Sequence, residues 1–352
     1  MPTPVLVVLV LLVGAYVLLA GGAFVGLLST QHQAPPPAPS AWPKVTVMVP
    51  PEAHDPQQLA SSIQSCDYPP DRLHLVFPAE PSPAHSSDTA AVRGRSVPQR
   101  TSTPPLLQTI AEEAEGEIVL TAPTGNTVPS GWIQSMVRRC TDDTPVVVGP
   151  STIEHDDLFL PRLQALSQLG SMAWRAGATY FNLPTPAATS NWAIRVETGP
   201  NTPPRPESVL DSPTSGPTTF NPDPEAAIER APVDSFQALL HRFAQDFRRA
   251  FETNSTLAQS QGLGIWLVHT ALLVCALVAV AVPAWRQPTL LALLAKMGTD
   301  VLLTLPAAKQ YGERTLLRSL VPTELMLVLA LPIAGLWSLV LPFSQKPNSV
   351  PK

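Results

Sequence analysis

A histidine and two carboxylates adjoin at His155-Asp156-Asp157, and these are side-chain types that bind metal ions. Adjacent residues on a loop rarely point at one ion, and no second cluster of such residues stands at ligand spacing. The apolar run that follows, 158–170, has leucines at helical spacing. A metal site and a cap at the N-terminus of a helix are the two interpretations of this trio, and we favour the helix cap.

Short aliphatic runs that end in proline or glycine predict the buried strands that must position any site. One is PKVTVMVPP at 43–51, and a second, GEIVL, begins at Gly116. Between them, 57–66 has the apolar spacing of a short amphipathic helix, and 73–77 has the pattern of another strand. The chain therefore opens as a β-α-β unit, which predicts an α/β domain.

Composition limits both the architecture and the partners. The 352 residues can hold one domain of conventional size plus membrane segments. The 42 prolines are more than twice the usual share, so long parts of the middle must be irregular. A net charge of −5 without a basic cluster argues against nucleic acid as a partner. Three scattered cysteines, Cys66, Cys140 and Cys275, predict neither a disulfide framework nor a zinc site.

Residues 5–28 carry no charge and are long enough for a helix that crosses a membrane, which needs about 20 residues. A cleaved signal peptide is the alternative. No Lys or Arg precedes the run, and it is longer than the apolar part of a usual signal peptide. We therefore predict a retained transmembrane helix over 1–30, followed by an extended, semi-rigid Pro/Ala linker over 31–42.

The C-terminal part, 262–343, is predicted to be a transmembrane region, followed by a tail over 344–352. It holds three apolar runs, 263–283, 289–305 and 320–342. The first and third are long enough to span. The middle run contains Lys296 and Asp300, four residues apart on one helical face, where pairing would lower the cost of immersion. For this run, a span and a re-entrant or interfacial segment both remain open.

The segment between the soluble part and these runs, 233–261, is predicted to contain an amphipathic helix at the membrane surface. Over 233–251 its phenylalanines and leucines share one broad face, and its arginines lie elsewhere. A helix that caps the soluble core is the alternative.

Positively charged residues near the apolar runs predict the orientation. Lys309, Arg314 and Arg318 crowd the segment before the last run, whereas Arg286 stands alone between the first two. Because such residues accumulate on the cytoplasmic side, four spans would place the soluble domain in the cytoplasm and the N-terminus outside. We therefore expect an integral protein of the plasma or inner membrane.

Several segments after residue 42 resemble, in the same order, the membrane-bound family 2 glycosyltransferases. They are PKVTVMVP, CDYPPDRLHLVFP, GEIVLT, PSGWIQSMV, GPSTIEHDD and ATSNWAIR. The resemblance implies a GT-A-like (Rossmann-like) nucleotide-sugar domain with a mixed sheet over 43–232 and transmembrane helices at both ends. It also places His155-Asp156-Asp157 on a surface turn.

The acids that the family uses are largely missing at the matching positions. In the family, an Asp-Ala-Asp segment binds Mg²⁺ or Mn²⁺ and the sugar diphosphate, and here it falls on Pro123, Thr124 and Gly125. The first acid pair, which holds uridine and ribose, falls on Ala79 and Glu80. We therefore expect no metal cofactor.

Three polar residues remain at positions where the resemblance implies contact with a ligand. Asn191 and Arg195 lie in the acceptor-side segment, and Arg242 takes the place of the arginine in the family's Q-x-x-R-W. We expect these three to contact a nucleotide sugar or a lipid-linked acceptor.

Two functions follow from this resemblance. One is a transferase whose residual catalysis uses groups that the motifs do not identify. The other is a pseudoenzyme that serves as a membrane scaffold or as a subunit that binds a partner. Losing even one group that stabilises developing charge typically costs about 3–4 kcal/mol, so the loss of several acids favours the pseudoenzyme. A periplasmic binding domain would require the opposite orientation.

Overall fold

A computed structural model describes residues 3–49, 56–76, 116–121, 127–183, 191–196, 217–252 and 255–340. The sequence predictions for Ala79, Glu80, Pro123, Thr124 and Gly125 lie outside these residues. The helices are α1 (Thr3–Gln31), α2 (Pro56–Gln64), α3 (Trp132–Arg139), α4 (Phe159–Tyr180), α5 (Phe236–Glu252), α6 (Thr256–Ala281), α7 (Arg286–Gln310) and α8 (Leu320–Ser338). The strands are β1 (Val45–Met48), β2 (Leu73–Val76), β3 (Ile118–Thr121), β4 (Val146–Val148), β5 (Ser151–Ile153), β6 (Trp192–Arg195), β7 (Thr218–Phe220) and β8 (Ile228–Arg230).

Six strands form a mixed sheet in the order β2-β1-β3-β6-β4-β7. β1 runs parallel to both β2 and β3, with Val45 opposite Leu73 and Ile118. β6 is antiparallel to β3 and to β4, and β7 is parallel to β4. The predicted β-α-β opening and the α/β domain with a mixed sheet are confirmed. A second, two-stranded sheet pairs β5 with β8 in parallel.

The central strands are apolar throughout because both of their faces are covered. Every residue of β1 and of β3 is buried. On one face, Val45, Val47, Ile118 and Leu120 pack with residues of α2 and α3, among them the fully buried Trp132. The other face holds the cluster Met48, Val76, Val119, Trp192, Ile194 and Val196. This packing fixes the edge at which β1 and β3 end together.

Four helical segments are long and apolar enough to cross a membrane, and they contain α1, α6, α7 and α8. They carry many exposed large apolar side chains, such as Leu18 at 78% and Val280 at 77%, as helices that face lipid do. The middle run of the C-terminal part is a helix of 25 residues, α7, about 37 Å long at 1.5 Å per residue. That length exceeds the roughly 30 Å of a hydrocarbon core.

The end of α7 and the turn after it contact the soluble domain. The Tyr311 hydroxyl donates to the Pro222 carbonyl at 3.2 Å, and His155 Nε2 lies 2.7 Å from Glu313 Oε2. The connection between α7 and α8 is therefore on the side of the soluble domain.

The predicted amphipathic helix is α5, and its apolar face packs against α6 and α8. Ala244 and Phe247 lie in one buried cluster with Ala334 of α8, bordered by Trp266 of α6. The helix is thus attached to the apolar helices. Its position at the membrane surface stays a prediction.

Candidate functional site

The carboxyl ends of β1 and β3 meet at one edge of the sheet, which is where α/β domains bind nucleotides. β3 ends at Thr121, and the next five residues, 122–126, read Ala-Pro-Thr-Gly-Asn and include no carboxylate. Mg²⁺ and Mn²⁺ require oxygen ligands that are mainly carboxylates. This donor set does not fit such an ion. Among the described residues, no group of three or more His, Cys, Asp or Glu is arranged to hold a metal.

Asn191 lies at this same edge, immediately before β6, and its amide is occupied by protein partners. Its Oδ1 accepts from Trp132 Nε1 at 3.1 Å, and its Nδ2 donates to the carbonyls of Pro150 at 2.6 Å and Ala226 at 2.9 Å. The neighbouring Gly149 makes room, since a Cβ there would lie 2.6 Å from the Asn191 Cγ. Asn191 therefore ties α3 to the loops that flank the two-stranded sheet. Contact with a ligand stays a prediction.

Arg195 lies at the opposite end of β6, where it pairs with Ile118 rather than with the end of β3. Its Nε is 2.6 Å from Asp142 Oδ1 on an exposed loop. Arg242 is on α5 and borders a cavity. The three residues predicted to contact a ligand thus lie in three separate places, and the structure does not assemble them around one ligand.

The His155-Asp156-Asp157 trio is divided among three partners. His155 faces Glu313, Asp156 Oδ1 accepts from the Leu158 backbone N–H at 2.9 Å, and Asp157 pairs with Arg162. α4 begins at Phe159, and its N-cap residue is Leu158, with no side-chain capping hydrogen bond. Asp156 therefore closes the turn before this helix, and the prediction that the trio caps the helix is wrong.

A cavity of about 280 Å³ lies where α4 and α5 meet α6, α7 and α8. Its lining combines apolar residues with three basic and three acidic ones, Arg175, Arg242, Lys296, Asp246, Asp300 and Glu324. Intramembrane or membrane-proximal charge is expensive and usually functional. This cavity is therefore a candidate site in the described part of the chain.

Ion-paired residues of α7 and α8 line part of the cavity. Lys296 Nζ lies 2.8 Å from Asp300 Oδ2 and also pairs with Glu324. The Tyr16 hydroxyl of α1 donates to Asp300. Lys296 is only 2% exposed. The predicted pairing of Lys296 with Asp300 is confirmed, and the roles of Glu324 and Tyr16 were missed. A lone acid in an apolar run is the signal that could have found Glu324.

Two arginines also line the cavity. Arg175 of α4 and Arg242 of α5 border it, and the electrostatic neighbours of Arg230 include both of them. Burial, followed by the nearby Arg242, lowers the pKa of Arg230 to about 10. Burial also lowers the pKa of Arg175 and of Arg242. Asp246 lines the cavity beside Arg175 and Arg242, and it is an electrostatic neighbour of all three arginines.

Glu229 of β8 offers a test of local electrostatics. Its backbone forms an isolated antiparallel bridge with Thr127. Burial, followed by Glu154 and Glu313, raises the Glu229 pKa. The folded state therefore binds the Glu229 proton more readily than the unfolded state. The stabilisation that comes from protonated Glu229 is lost as pH rises through the pKa of the folded state. We expect Glu229→Gln to stabilise the protein by about 0.5 kcal/mol at neutral pH.

Thermal unfolding of the purified protein measures this difference. The higher stability of Glu229→Gln relative to wild type should disappear as pH falls below the Glu229 pKa. An advantage that grows on acidification would contradict this assignment. Asp143→Asn, on an exposed loop, is a control that removes one negative charge elsewhere.

No family model matches the chain, and no curated protein matches it. Among solved structures, it is similar to the mannosyltransferase PcManGT from Pyrobaculum calidifontis in complex with GDP-Man and Mn²⁺. The likeness covers 91% of this chain and 99% of the other, at a TM-score of 0.51 and 17% sequence identity. At that identity the likeness establishes a shared fold. The predicted resemblance to glycosyltransferases is therefore supported at the level of fold, without specifying family 2.

Proposed function

We propose that this chain is a membrane protein with a family 2-like, GT-A-type glycosyltransferase domain that no longer performs metal-dependent sugar transfer. It acts instead as a non-catalytic scaffold or as a subunit that binds a partner. The shared fold supports the first part of the proposal. The composition of the loop after β3 supports the second.

The observation that carries the proposal is the place of β3 in the sheet. β3 lies between β1 and β6, so its carboxyl end is at the centre of the sheet edge where α/β domains bind nucleotides, and residues 122–126 follow it directly in the sequence. A departing nucleoside diphosphate needs its developing charge neutralised, and a cation held on carboxylates does this. Pro123, Thr124 and Gly125 supply no carboxylate, and Ala79 leaves Glu80 as a single acid in the matching position before it.

The soluble domain is proposed to be cytoplasmic. Lys309, Arg314 and Arg318 lie beside the turn that contacts His155 and Pro222, so they are on the domain's side of the membrane. The positive-inside rule assigns that side to the cytoplasm. Cysteines introduced into the 31–42 linker should accordingly resist labelling by a membrane-impermeant reagent in intact cells, and rapid labelling would reverse the orientation.

Titration with GDP and UDP tests the loss of the metal site. The purified full-length protein is expected to bind neither nucleotide in a way that depends on Mn²⁺ or Mg²⁺, because the carboxylate ligands are absent. Calorimetry with and without each ion measures this directly. Metal-dependent binding at micromolar concentrations would refute the proposal and favour an active transferase that recruits acids from elsewhere.

Restoring the acids gives a complementary expectation. Pro123→Asp combined with Gly125→Asp should create Mn²⁺-dependent GDP binding, at least ten-fold tighter with the ion than without it, or about 1.4 kcal/mol. The matched control is the double asparagine variant, which has a similar shape and no charge. Equal behaviour of the two variants would show that more than these two carboxylates has been lost.

A further inference from the structure

Two carboxyl groups share a single ammonium group among the apolar helices. Lys296 Nζ of α7 lies 2.8 Å from Asp300 Oδ2 and also pairs with Glu324 Oε2 of α8. The side chains of Lys296, Asp300 and Glu324 are 2%, 9% and 8% exposed. If both acids are ionised, the lysine can balance only one of them, and a buried charge without a partner is costly.

The two acids also contact each other. The carboxyl groups of Asp300 and Glu324 lie within hydrogen-bonding distance. An ionised carboxylate offers only acceptors, so two ionised groups cannot form a hydrogen bond with each other. A proton on either group turns this contact into a hydrogen bond, as it does in other pairs of neighbouring carboxyl groups that share one proton.

One oxygen of this pair needs a donor. Asp300 Oδ1 accepts from the Tyr16 hydroxyl of α1. Asp300 Oδ2 is buried and accepts no hydrogen bond of good geometry from the described residues, although the Lys296 ammonium is close to it. A buried acceptor without a donor costs free energy, and a protonated carboxyl of Glu324 supplies a donor. The contact between the acids and the unsatisfied oxygen therefore both call for the same proton.

The groups that face the pair from α1 and α6 leave this proton on the acids. Tyr16 is a neutral donor to Asp300. His269 of α6 has Lys296 and Asp300 as electrostatic neighbours, and its Nδ1 lies 2.7 Å from the Ile265 carbonyl, to which it donates. A positive charge on His269 would stand beside the Lys296 ammonium, and like charges repel strongly in an apolar surrounding.

The other ionisable residues of the cavity lining are engaged with one another. Arg175 of α4 and Arg242 of α5 both have Asp246 as their first electrostatic neighbour among charged groups. The electrostatic neighbours of Asp246 are arginines and do not include Lys296. Charge around the carboxyl pair is therefore balanced locally, by Lys296 and by the proton.

The cavity connects the pair with water. Asp300 and Glu324 both line this space of about 280 Å³. Three other lining residues have a buried polar atom without a hydrogen-bond partner among the described residues, namely Gln261 Oε1, His269 Nε2 and Thr323 Oγ1. Water occupies cavities that are polar and large enough, at about 30 Å³ for each molecule. It can therefore carry a proton to and from the pair.

We propose that Asp300 and Glu324 bind one exchangeable proton between them, which reaches them through water in the cavity. With the proton bound, the pair carries one negative charge, which Lys296 balances. Without it, the apolar helices enclose an unbalanced negative charge, which is expensive. The contact that joins α7, α8 and, through Tyr16, α1 thus depends on pH. The proposal uses neither the sheet edge nor nucleotide binding, so it can fail independently of the proposed function.

Infrared spectroscopy of the full-length protein, purified in detergent at neutral pH, detects the proton directly. The carbonyl stretch of a protonated carboxyl group is separate from the bands of carboxylates and of the amide backbone. Glu324→Gln and Asp300→Asn should each remove a band that wild type shows, because the remaining carboxylate pairs with Lys296 and needs no proton. Asp143→Asn, which changes an exposed acid on a loop, is the control and should leave this band in place. Wild-type spectra that match those of both variants would overturn the proposal.

Unfolding as a function of pH tests the consequence for stability. Carboxyl groups of the unfolded chain are ionised above about pH 5, so a folded state that keeps the proton binds one proton more. The stability that this proton contributes is present at low pH and is lost as pH rises. From about pH 5 upward, the folded-to-unfolded ratio of wild type should fall relative to that of Glu324→Gln, by up to ten-fold per pH unit. Parallel curves for the two proteins would contradict the assignment.

A monovalent metal ion is the competing occupant of the pair. At constant pH and ionic strength, replacing sodium chloride with choline chloride should leave the wild-type unfolding midpoint unchanged. A stabilisation by sodium that is absent from Glu324→Gln would assign the pair to a metal cation and refute the proton. If neither cluster variant folds, the wild-type infrared band decides, since its amplitude should decrease as pH rises. A band of constant amplitude wherever the protein is folded would count against an exchangeable proton.

Discussion

Replacing Lys296 with methionine is expected to destabilise the protein by about 3–5 kcal/mol. Methionine fits the space of the lysine stem but leaves Asp300 and Glu324 without their cation among apolar helices. Both carboxylates are more than nine-tenths buried, so solvent cannot compensate for the loss. The unfolding midpoint in detergent, measured by thermal or chemical denaturation, reports the change.

Lys309→Met is the matched control, because Lys309 is an exposed lysine on the same helix. It should cost less than about 0.5 kcal/mol. Neutralising all three charges with Lys296→Met, Asp300→Asn and Glu324→Gln should recover much of the stability, since the penalty comes from unpaired charge. A loss in Lys296→Met no larger than in Lys309→Met would show that the ion pairs contribute nothing.

The ion-paired cluster shows which contacts can be predicted from spacing in the sequence and which cannot. Lys296 and Asp300 stand four residues apart, so one helical turn predicts their contact from the sequence. Glu324 joins them from α8 and Tyr16 from α1, and no spacing rule connects residues that far apart in the chain. The packing of separate helices decides which charges meet, and that information is tertiary.

The sheet shows the same contrast between what local sequence patterns predict and what depends on tertiary packing. The aliphatic runs that became β1, β2 and β3 were recognisable because strands covered on both faces are apolar throughout. The antiparallel insertion of β6 beside β3 was not predictable from any run. Asn191 and Arg195 are only four residues apart in sequence, but a strand advances about 3.3 Å per residue, so they lie at opposite ends of β6.

The grouping of Arg175, Arg230 and Arg242 could not be predicted from the sequence, for a related reason. Arg242 was singled out through its resemblance to a family motif, but Arg175 and Arg230 come from α4 and β8. Each of them alone has the sequence context of an ordinary surface arginine. Only the fold brings these arginines together around Asp246.

A pair of glycines sets the distance between α1 and α4, the helices that connect the membrane part to the soluble domain. A Cβ on Gly177 would lie 2.6 Å from the Cα of Ala23, and one on Gly26 would lie 2.9 Å from the Cα of Gly177. Both contacts are with backbone, so no side-chain rotation can relieve them. Small residues at such crossings allow helices to approach closely in membranes.

Gly177→Ala is therefore expected to destabilise the protein by about 3 kcal/mol, because the two helices must separate and lose the packing around Ala23, Leu27 and Ala173. Gly21→Ala is the control, since no atom lies within 4 Å of its Cβ position and alanine favours a helix by up to about 1 kcal/mol. It should be neutral or stabilising in the same thermal unfolding measurement. If both variants unfold at the wild-type temperature, α1 and α4 do not cross at these glycines, and the attachment of the soluble domain to the membrane helices must be redrawn.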